Sequence, residues 1–168
     1  MIATTMIHLL FGPQGAGKST LARQLADQRQ GVRFSIDDWM GELFAPDMPQ
    51  PMNLPWILAR VQRCEQRIWA VATDVVRRGG TAVLDVGCMQ VADRARYAAL
   101  ASAQGLALRP HFVTAPLAVR RQRVLQRNQT RGDTFAFEVT PGMFTTMEGH
   151  FEPPDAAELA GCAVTETA

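Results

Sequence analysis

The chain has 168 residues, of which 47% are hydrophobic and 20% are charged. This length and composition favour one globular domain over residues 1–168, with a buried core, and argue against a disordered chain. Because 17 Lys and Arg residues are balanced by 16 Asp and Glu residues, the net charge of +1 creates no general attraction to nucleic acid or to an anionic membrane.

The cysteines and the first residues indicate the expected compartment. Cys64, Cys88 and Cys162 are odd in number, are widely spaced and form no CxxC pair, which argues against a disulfide framework and against a zinc site. The first eleven residues carry neither a basic leader nor a small-residue cleavage pattern, and no stretch is as long as a membrane span. We therefore expect a cytoplasmic protein without a membrane segment.

The predicted elements alternate between strands and helices along the chain. Short apolar runs predict strands, and apolar residues that recur every three or four positions predict helices. The expected strands are residues 6–11, 32–36, 81–87, 108–114 and 162–166, and the expected helices are residues 18–30, 54–78, 93–104, 116–127 and 141–150. Four prolines within residues 46–55 predict a loop. The alternation implies an α/β domain with a parallel sheet that is covered by helices on both faces.

Residues 12–20, GPQGAGKST, follow the first predicted strand and lead into the first predicted helix. They match the pattern G-x-x-x-x-G-K-[ST], in which glycines let backbone N–H groups turn toward one anion and the following helix adds its positive N-terminal end. We therefore expect a nucleoside triphosphate to bind a phosphate loop that consists of Gly12, Pro13, Gln14, Gly15, Ala16, Gly17, Lys18, Ser19 and Thr20. A glycine-rich turn without a ligand is the alternative.

Two side chains of the phosphate loop have specific expected contacts. Lys18 is the only lysine beside 16 arginines, which indicates a position where a compact ammonium group is needed. We expect Lys18 to contact the β and γ phosphates and the Ser19 hydroxyl to bind the Mg²⁺ ion that bridges them. The sequence has no N-K-x-D tetrapeptide of the kind that recognises guanine, which favours ATP over GTP.

Three carboxylates follow predicted strands, at the edge where a doubly wound sheet binds its ligands. Asp37 and Asp38 follow the second strand, and Asp85 lies at the end of the third. A kinase needs one carboxylate that orients an acceptor hydroxyl and takes its proton, and a second acid that organises magnesium. Asp37 is the candidate base and Asp85 the candidate metal ligand, through bound water. For Asp38 we favour a helix N-cap without a further role. A helix N-cap at Asp37 and a turn residue at Asp85 are the alternatives.

Five arginines lie within twelve residues, namely Arg120, Arg121, Arg123, Arg127 and Arg131. On a helix, Arg120, Arg123 and Arg127 share one face. A solvated basic face is the common explanation of such a run. We favour a lid over residues 127–139, in which Arg127 and Arg131 add positive charge near the transferred phosphoryl group and exclude water, with Arg123 as a further candidate.

These motifs together resemble a known family. The order GPQGAGKST, SIDDW, AVLDVG and VLQRNQTRG is similar to that of small P-loop kinases, which include polynucleotide 5′-hydroxyl kinase domains, zeta-toxin kinases and chloramphenicol phosphotransferase. The resemblance covers about residues 6–151. It implies an AAA-type, nucleoside-kinase-like three-layer sandwich with five parallel strands in the order 2-3-1-4-5. It also implies that Asp37 is the general base and that Arg127 and Arg131 are lid arginines.

One departure from this pattern concerns the acceptor. In the polynucleotide kinases an arginine follows the Asp-Asp-aromatic sequence and binds a nucleic-acid phosphate, whereas this chain has Met40. That difference favours a small hydroxylated acceptor. Residues 39–56, which are rich in aromatic residues and methionine, form the expected acceptor-side loop; they either line an apolar cleft or pack against helices.

The expected function is an ATP- and Mg²⁺-dependent transfer of the γ-phosphoryl group to a hydroxyl of a small molecule. Lys18, Asp37, Arg127 and Arg131 are the expected catalytic residues, and Arg127 is also expected to contact the nucleotide. Two alternatives remain open at this point: a polynucleotide 5′-hydroxyl kinase, and an ATP-binding switch or ATPase that phosphorylates no acceptor.

Overall fold

The computed structural model of the chain describes residues 5–132 and 138–168. Its single sheet contains β1 (Ile7–Phe11), β2 (Val32–Ser35), β3 (Ala82–Asp85), β4 (Leu108–Thr114) and β5 (Ala163–Glu166). All neighbouring strands are parallel, and their order is β2-β3-β1-β4-β5. The predicted α/β fold and the predicted strand order 2-3-1-4-5 are confirmed. The strand that leads into the phosphate loop therefore lies at the centre of the sheet.

Helices cover both faces of this sheet. They are α1 (Lys18–Arg29), α2 (Ile36–Phe44), α3 (Leu54–Arg77), α4 (Val91–Ala103), α5 (Leu117–Thr130), α6 (Pro141–His150) and α7 (Ala156–Ala160). Alternate residues of β1 belong to different cores: Leu9 is buried in a cluster with residues of α3 and α4, whereas Leu10 is buried in a cluster with residues of α1. Because both faces of the central strand are buried, the domain is a three-layer sandwich.

Helix α2 was not predicted, and it places the two aspartates after β2 in a helix. The Ser35 side chain accepts a hydrogen bond from the backbone N–H of Asp38 and so caps the helix. Asp37 and Asp38 consequently lie in its first turn, and the interpretation of Asp38 as the cap was wrong. Trp39 and Met40 are half-buried and pack against the core cluster beneath the helix.

The loop predicted for residues 46–55 was wrong at its start, where a turn of 3-10 helix covers Ala45–Asp47. Helix α3 begins at Leu54, where the sequence predicts a helix. Pro55 is tolerated there because the first turn of a helix needs no N–H donor from it.

Two helices near the other end of the chain differ from the prediction: α5 extends to Thr130, and α7 was not predicted. Within the two described ranges, no helix combines the length and the apolar character that crossing a membrane requires.

Candidate active site

A cavity of about 590 Å³ opens at the carboxyl ends of the strands. The strand order divides its walls into two parts on either side of β1. The β2/β3 half consists of residues after those strands: Ile36, Asp37, Asp85, Gly87 and Met89. The β4/β5 half consists of Arg123, Thr165 and Thr167. The phosphate loop lies between the two halves, and α5 and α6 contribute Arg127 and Met147.

Two glycines of the phosphate loop permit an approach that a side chain would prevent. Gly12 and Gly15 have φ values of +149° and +77°. A Cβ atom on Gly12 would lie 1.9 Å from the carbonyl oxygen of Val113 on β4, and one on Gly15 would lie 2.6 Å from that of Arg120 on α5. The loop backbone therefore packs directly on β4 and α5, and these glycines fix where the loop lies.

Side chains from outside the phosphate loop hold three of its carbonyl groups. Arg120 Nη1 donates to Gln14 O at 3.3 Å, Arg123 Nη1 donates to Gly15 O at 3.3 Å, and Thr167 Oγ1 donates to Ala16 O at 2.8 Å. In a trans peptide the C=O and the following N–H point in opposite directions. The N–H groups that follow these carbonyls therefore point away from α5 and β5, an arrangement in which a loop can present donors to an anion.

The Lys18 ammonium group lies against the backbone of the phosphate loop. Its Nζ donates to the carbonyl oxygens of Gly12 and Pro13, at 2.8 and 2.9 Å, so the side chain folds back over the loop. Desolvation by burial lowers the pKa of Lys18 to about 8, and the nearby Asp85 and Asp37 carboxylates oppose that shift. An anion that enters the loop would supply the negative charge that this partly desolvated ammonium lacks.

Asp37 and Asp85 face the same cavity. Asp85 is 7% exposed and accepts a hydrogen bond from Arg33 Nη2 at 3.1 Å, while Arg33 Nη1 donates to Asp38 at 2.8 Å. Asp37 is open to the water in the cavity, yet the surrounding protein removes part of its hydration and so raises the pKa of its carboxyl; Asp85 raises this pKa further. Lys18 and Arg127 act in the opposite direction.

The two expected lid arginines lie in different positions. Arg127 is half-buried on α5 and lines the cavity; burial lowers its pKa, and Asp37 opposes this shift. No hydrogen-bond acceptor for the buried Nε of Arg127 lies among the described residues. Arg131 is exposed, ends α5 with φ +46°, and is not among the residues that line the cavity. Residues 133–137 of the expected lid lie outside the described residues.

The donor set fits a magnesium nucleotide. The Ser19 hydroxyl and the carboxylates of Asp37 and Asp85 line one cavity, and oxygen ligands of this kind are those that Mg²⁺ prefers. Donors that could bind phosphate oxygens come from the phosphate loop, from Lys18 and from the Arg127 Nε, which has no acceptor among the described residues. Ser19 and Asp85 would hold the metal, and the loop with Lys18 would hold the triphosphate.

The structure brings most of the expected site residues into one cavity. Gln14, Gly15, Gly17, Lys18, Ser19, Thr20, Asp37, Asp85, Arg123 and Arg127 all line it. Sequence analysis missed Thr165 and Thr167 in the tail, and Met89 and Met147, which also line the cavity. The aromatic residues of segment 39–56 do not line it; Trp39 and Phe44 pack on the core, and Trp56 lies edge-on to Phe44.

Comparison with known proteins assigns the family. The model of a family described as "AAA domain" matches residues 7–154, which is most of the chain. The chain therefore belongs to this AAA domain family. No curated protein matches the sequence.

Solved structures with the same fold include proteins of several kinds. A gluconokinase from Sinorhizobium meliloti is 16% identical, with 98% of this chain and 84% of that chain covered and a TM-score of 0.58. Chaetomium thermophilum Kti12 in complex with ADP-AlF3 is 13% identical, with 96% and 88% covered and a TM-score of 0.69. Mycobacterium tuberculosis APS kinase CysC in complex with AMPPNP and APS is 15% identical, with 97% and 88% covered and a TM-score of 0.67. The chain has the fold of small P-loop kinases.

Proposed function

We propose that the protein is an ATP-dependent phosphotransferase that moves the γ-phosphoryl group to a hydroxyl of a small-molecule acceptor. The observation that carries this proposal is the meeting of Lys18 and Asp37 in one cavity, with Asp85 and Arg127 beside them. The kinases among the proteins of the same fold add support for this reaction class.

Each residue has a distinct role in the proposed reaction. The amides of the phosphate loop and Lys18 bind the triphosphate, and Ser19 and Asp85 hold Mg²⁺, which supplies neutralising charge to the phosphate oxygens. Asp37 orients the acceptor hydroxyl and takes its proton as the oxygen attacks the γ-phosphorus. Its raised pKa suits this role, because a base is most effective when its pKa approaches the working pH. Arg127 stabilises the charge on the transferred group, and we assign Arg131 to the same task when nucleotide is bound.

The proposal is tested by transfer of label from [γ-³²P]ATP, with Mg²⁺, to a library of hydroxyl compounds that includes a 5′-hydroxyl oligonucleotide. We expect transfer to a small alcohol, and we expect Lys18→Ala to abolish both transfer and the rise in Tm that Mg-AMPPNP causes in the wild type. Gln28→Ala, at an exposed position of the same helix, is the matched control. Transfer to the oligonucleotide alone would support the alternative kinase. Phosphate release that no alcohol stimulates would support an ATPase or switch.

A further inference from the structure

The charges around the cavity restrict the chemistry of the acceptor. We infer that the acceptor is an uncharged or cationic alcohol with an apolar face, and not a phosphorylated or carboxylated one. This inference rests on the proposed kinase function, since it concerns the half of the same cavity that faces Asp37. It names a substrate class that neither the family match nor the fold specifies.

The acceptor must lie in the β2/β3 half. The phosphate loop follows the central strand, and the β4/β5 half is occupied by contacts to that loop: Arg123 and Thr167 bind the Gly15 and Ala16 carbonyl groups. The candidate base Asp37 follows β2, on the other side of β1. A hydroxyl that contacts Asp37 therefore places the rest of its molecule among the residues that follow β2 and β3.

The β2/β3 half contains no cation. Its residues are Ile36, Asp37, Asp85, Gly87 and Met89, so its only formal charges are two carboxylates. The cations that line the cavity are Lys18 in the phosphate loop and Arg123 and Arg127 on α5. Residues 1–4 and 133–137 contain no Lys or Arg in the sequence, so every arginine of the chain belongs to the part that the structure describes.

Two arginines that contact residues of this half are already paired. Arg33 lies between the carboxylates of Asp38 and Asp85, at 2.8 and 3.1 Å. Arg94 is 5% exposed and forms an ion pair with Glu158, and its guanidinium also donates to the backbone oxygens of Met89 and Glu152. Neither guanidinium is available to an anionic acceptor.

Lys18 and Arg127 act electrostatically on Asp37, and Lys18 also acts on Asp85. The proposed function assigns both cations to the phosphates of the nucleotide, so they do not form a separate anion site for the acceptor.

Electrostatics then discriminates against an anionic acceptor. A phosphate or carboxylate group in the β2/β3 half would approach Asp37 and Asp85, and like charges at short range in a partly desolvated site repel strongly. Bound Mg-ATP leaves little positive charge for an acceptor anion, because the triphosphate engages the Mg²⁺ ion, Lys18 and Arg127 in the proposed reaction. A neutral group meets no such repulsion, and an ammonium group is attracted.

The remaining lining residues provide an apolar face. Ile36 and Met89 belong to the β2/β3 half, and Met147 reaches the cavity from α6. Thioether side chains are polarisable and adapt to the shape of apolar ligands. A hydroxyl-bearing molecule with an apolar side fits these walls better than one that is polar on every side.

The test uses acceptors that share one skeleton and one reactive hydroxyl and differ mainly in charge. They are benzyl alcohols with a para methyl, aminomethyl, carboxylate or phosphate substituent. Phosphoryl transfer from Mg-ATP is measured for each, together with the Tm of the Mg-AMPPNP complex in its presence. We expect the neutral or amino member to exceed its anionic partners by about tenfold or more in transfer, with the difference shrinking as salt rises.

A charge variant adds an independent measurement. Met89→Arg places a cation in the β2/β3 half and should move the ratio of anionic to neutral acceptor by about tenfold or more toward the anion. Val91→Arg adds the same charge at a position that is 46% exposed and does not line the cavity, and it should leave the ratio unchanged.

The outcomes separate this inference from the kinase proposal. Equal or better transfer to an anionic member overturns the inference and leaves the kinase proposal intact. Failure of every member to accept phosphate or to change Tm, in a protein that Mg-AMPPNP still stabilises, also overturns the inference while nucleotide binding stands. Loss of the Mg-AMPPNP effect in the wild type removes both.

Discussion

Arg120 and Glu148 form a two-pronged ion pair between α5 and α6, with Nη1–Oε2 and Nη2–Oε1 distances of 2.6 and 2.7 Å. Arg120 is 6% exposed, and it also donates through Nε to Ala115 O and through Nη1 to Gln14 O in the phosphate loop. One guanidinium therefore joins the phosphate loop to the helix that carries Met147. We therefore expect a change in the position of α6 to reach the loop through this pair.

Breaking the pair should weaken both stability and nucleotide binding. Glu148→Gln leaves the Arg120 charge with weaker partners, and we expect a loss of roughly 1–3 kcal/mol in the free energy of unfolding by urea denaturation. The KM for ATP should rise, because Gln14 O is held less firmly. Arg121→Gln, at the exposed neighbouring position, is the control. In a double-mutant cycle with Arg120→Met, additive effects would show that the pair is not coupled.

Asp37→Asn tests the proposed base. The amide cannot take the proton of an acceptor hydroxyl, so turnover should fall by about 10² or more, while Mg-AMPPNP binding stays close to that of the wild type. Asp38→Asn is the matched control, and it should retain turnover. Asp38 is the next residue in the chain, but its carboxylate pairs with Arg33 and does not line the cavity. Wild-type turnover in the Asp37 variant would remove Asp37 from the mechanism.

The two lid arginines should differ in importance. Arg127 lines the cavity beside Asp37, so Arg127→Ala should reduce kcat by about 10² or more through lost stabilisation of the transferred charge. Arg131→Ala should have a smaller effect, since Arg131 lies at the exposed end of α5. Single-turnover rates with saturating ATP compare the two variants directly. A larger loss for Arg131→Ala would mean that the helix end moves to the nucleotide during the reaction.

A buried histidine pair should make stability depend on pH. His8 Nδ1 and His111 Nε2 lie 2.8 Å apart on β1 and β4. Burial lowers the pKa of both; for His111, burial together with the neighbouring His8 lowers the pKa to about 4. The unfolded chain takes up these protons near pH 6.5. The contribution of the neutral pair to stability is therefore complete above about pH 6.5 and is lost as the pH falls toward 4.

Calorimetry at pH 7.5, 6 and 5 measures this dependence. The Tm of the wild type should fall more steeply with decreasing pH than that of a variant with His8→Gln and His111→Gln, because the variant has no imidazole to protonate at these positions. Parallel curves for the two proteins would show that these histidines take up protons over the same pH range in the folded and the unfolded states, contrary to the stated shifts.

The sequence predicts the features that are local, and it misses those that join distant segments. The phosphate loop follows from a contiguous motif, and the parallel sheet follows from the alternation of elements. The strand order was implied by the family resemblance. The role of Thr167 could not be predicted in this way. Its hydrogen bond to Ala16 joins residues 151 positions apart, and no sequence pattern in the tail indicates that contact. Arg33 is likewise an ordinary strand residue until β2 and β3 pair and bring Asp85 beside it.

Helix α2 was missed for a different reason, since its signals are local. Ser35 and the two aspartates form a typical helix start, and Ile36, Trp39 and Met40 recur at helical spacing. The apolar run of β2 continues into Ile36, however. The predicted strand therefore included Ile36, which is the first residue of the helix. Boundaries between adjacent elements are where such patterns overlap.

The central position of β1 separates the wall that faces Asp37 from the segments that hold the phosphate loop. Contacts to the phosphate loop come from α5 and β5, whereas the wall facing Asp37 comes from the segments after β2 and β3. Under the proposed function, substitutions at Ile36 or Met89 should therefore change the acceptor and leave the contacts to the phosphate loop unaltered. Engineering libraries confined to those two segments would then sample new acceptors without changing the residues that are proposed to bind ATP.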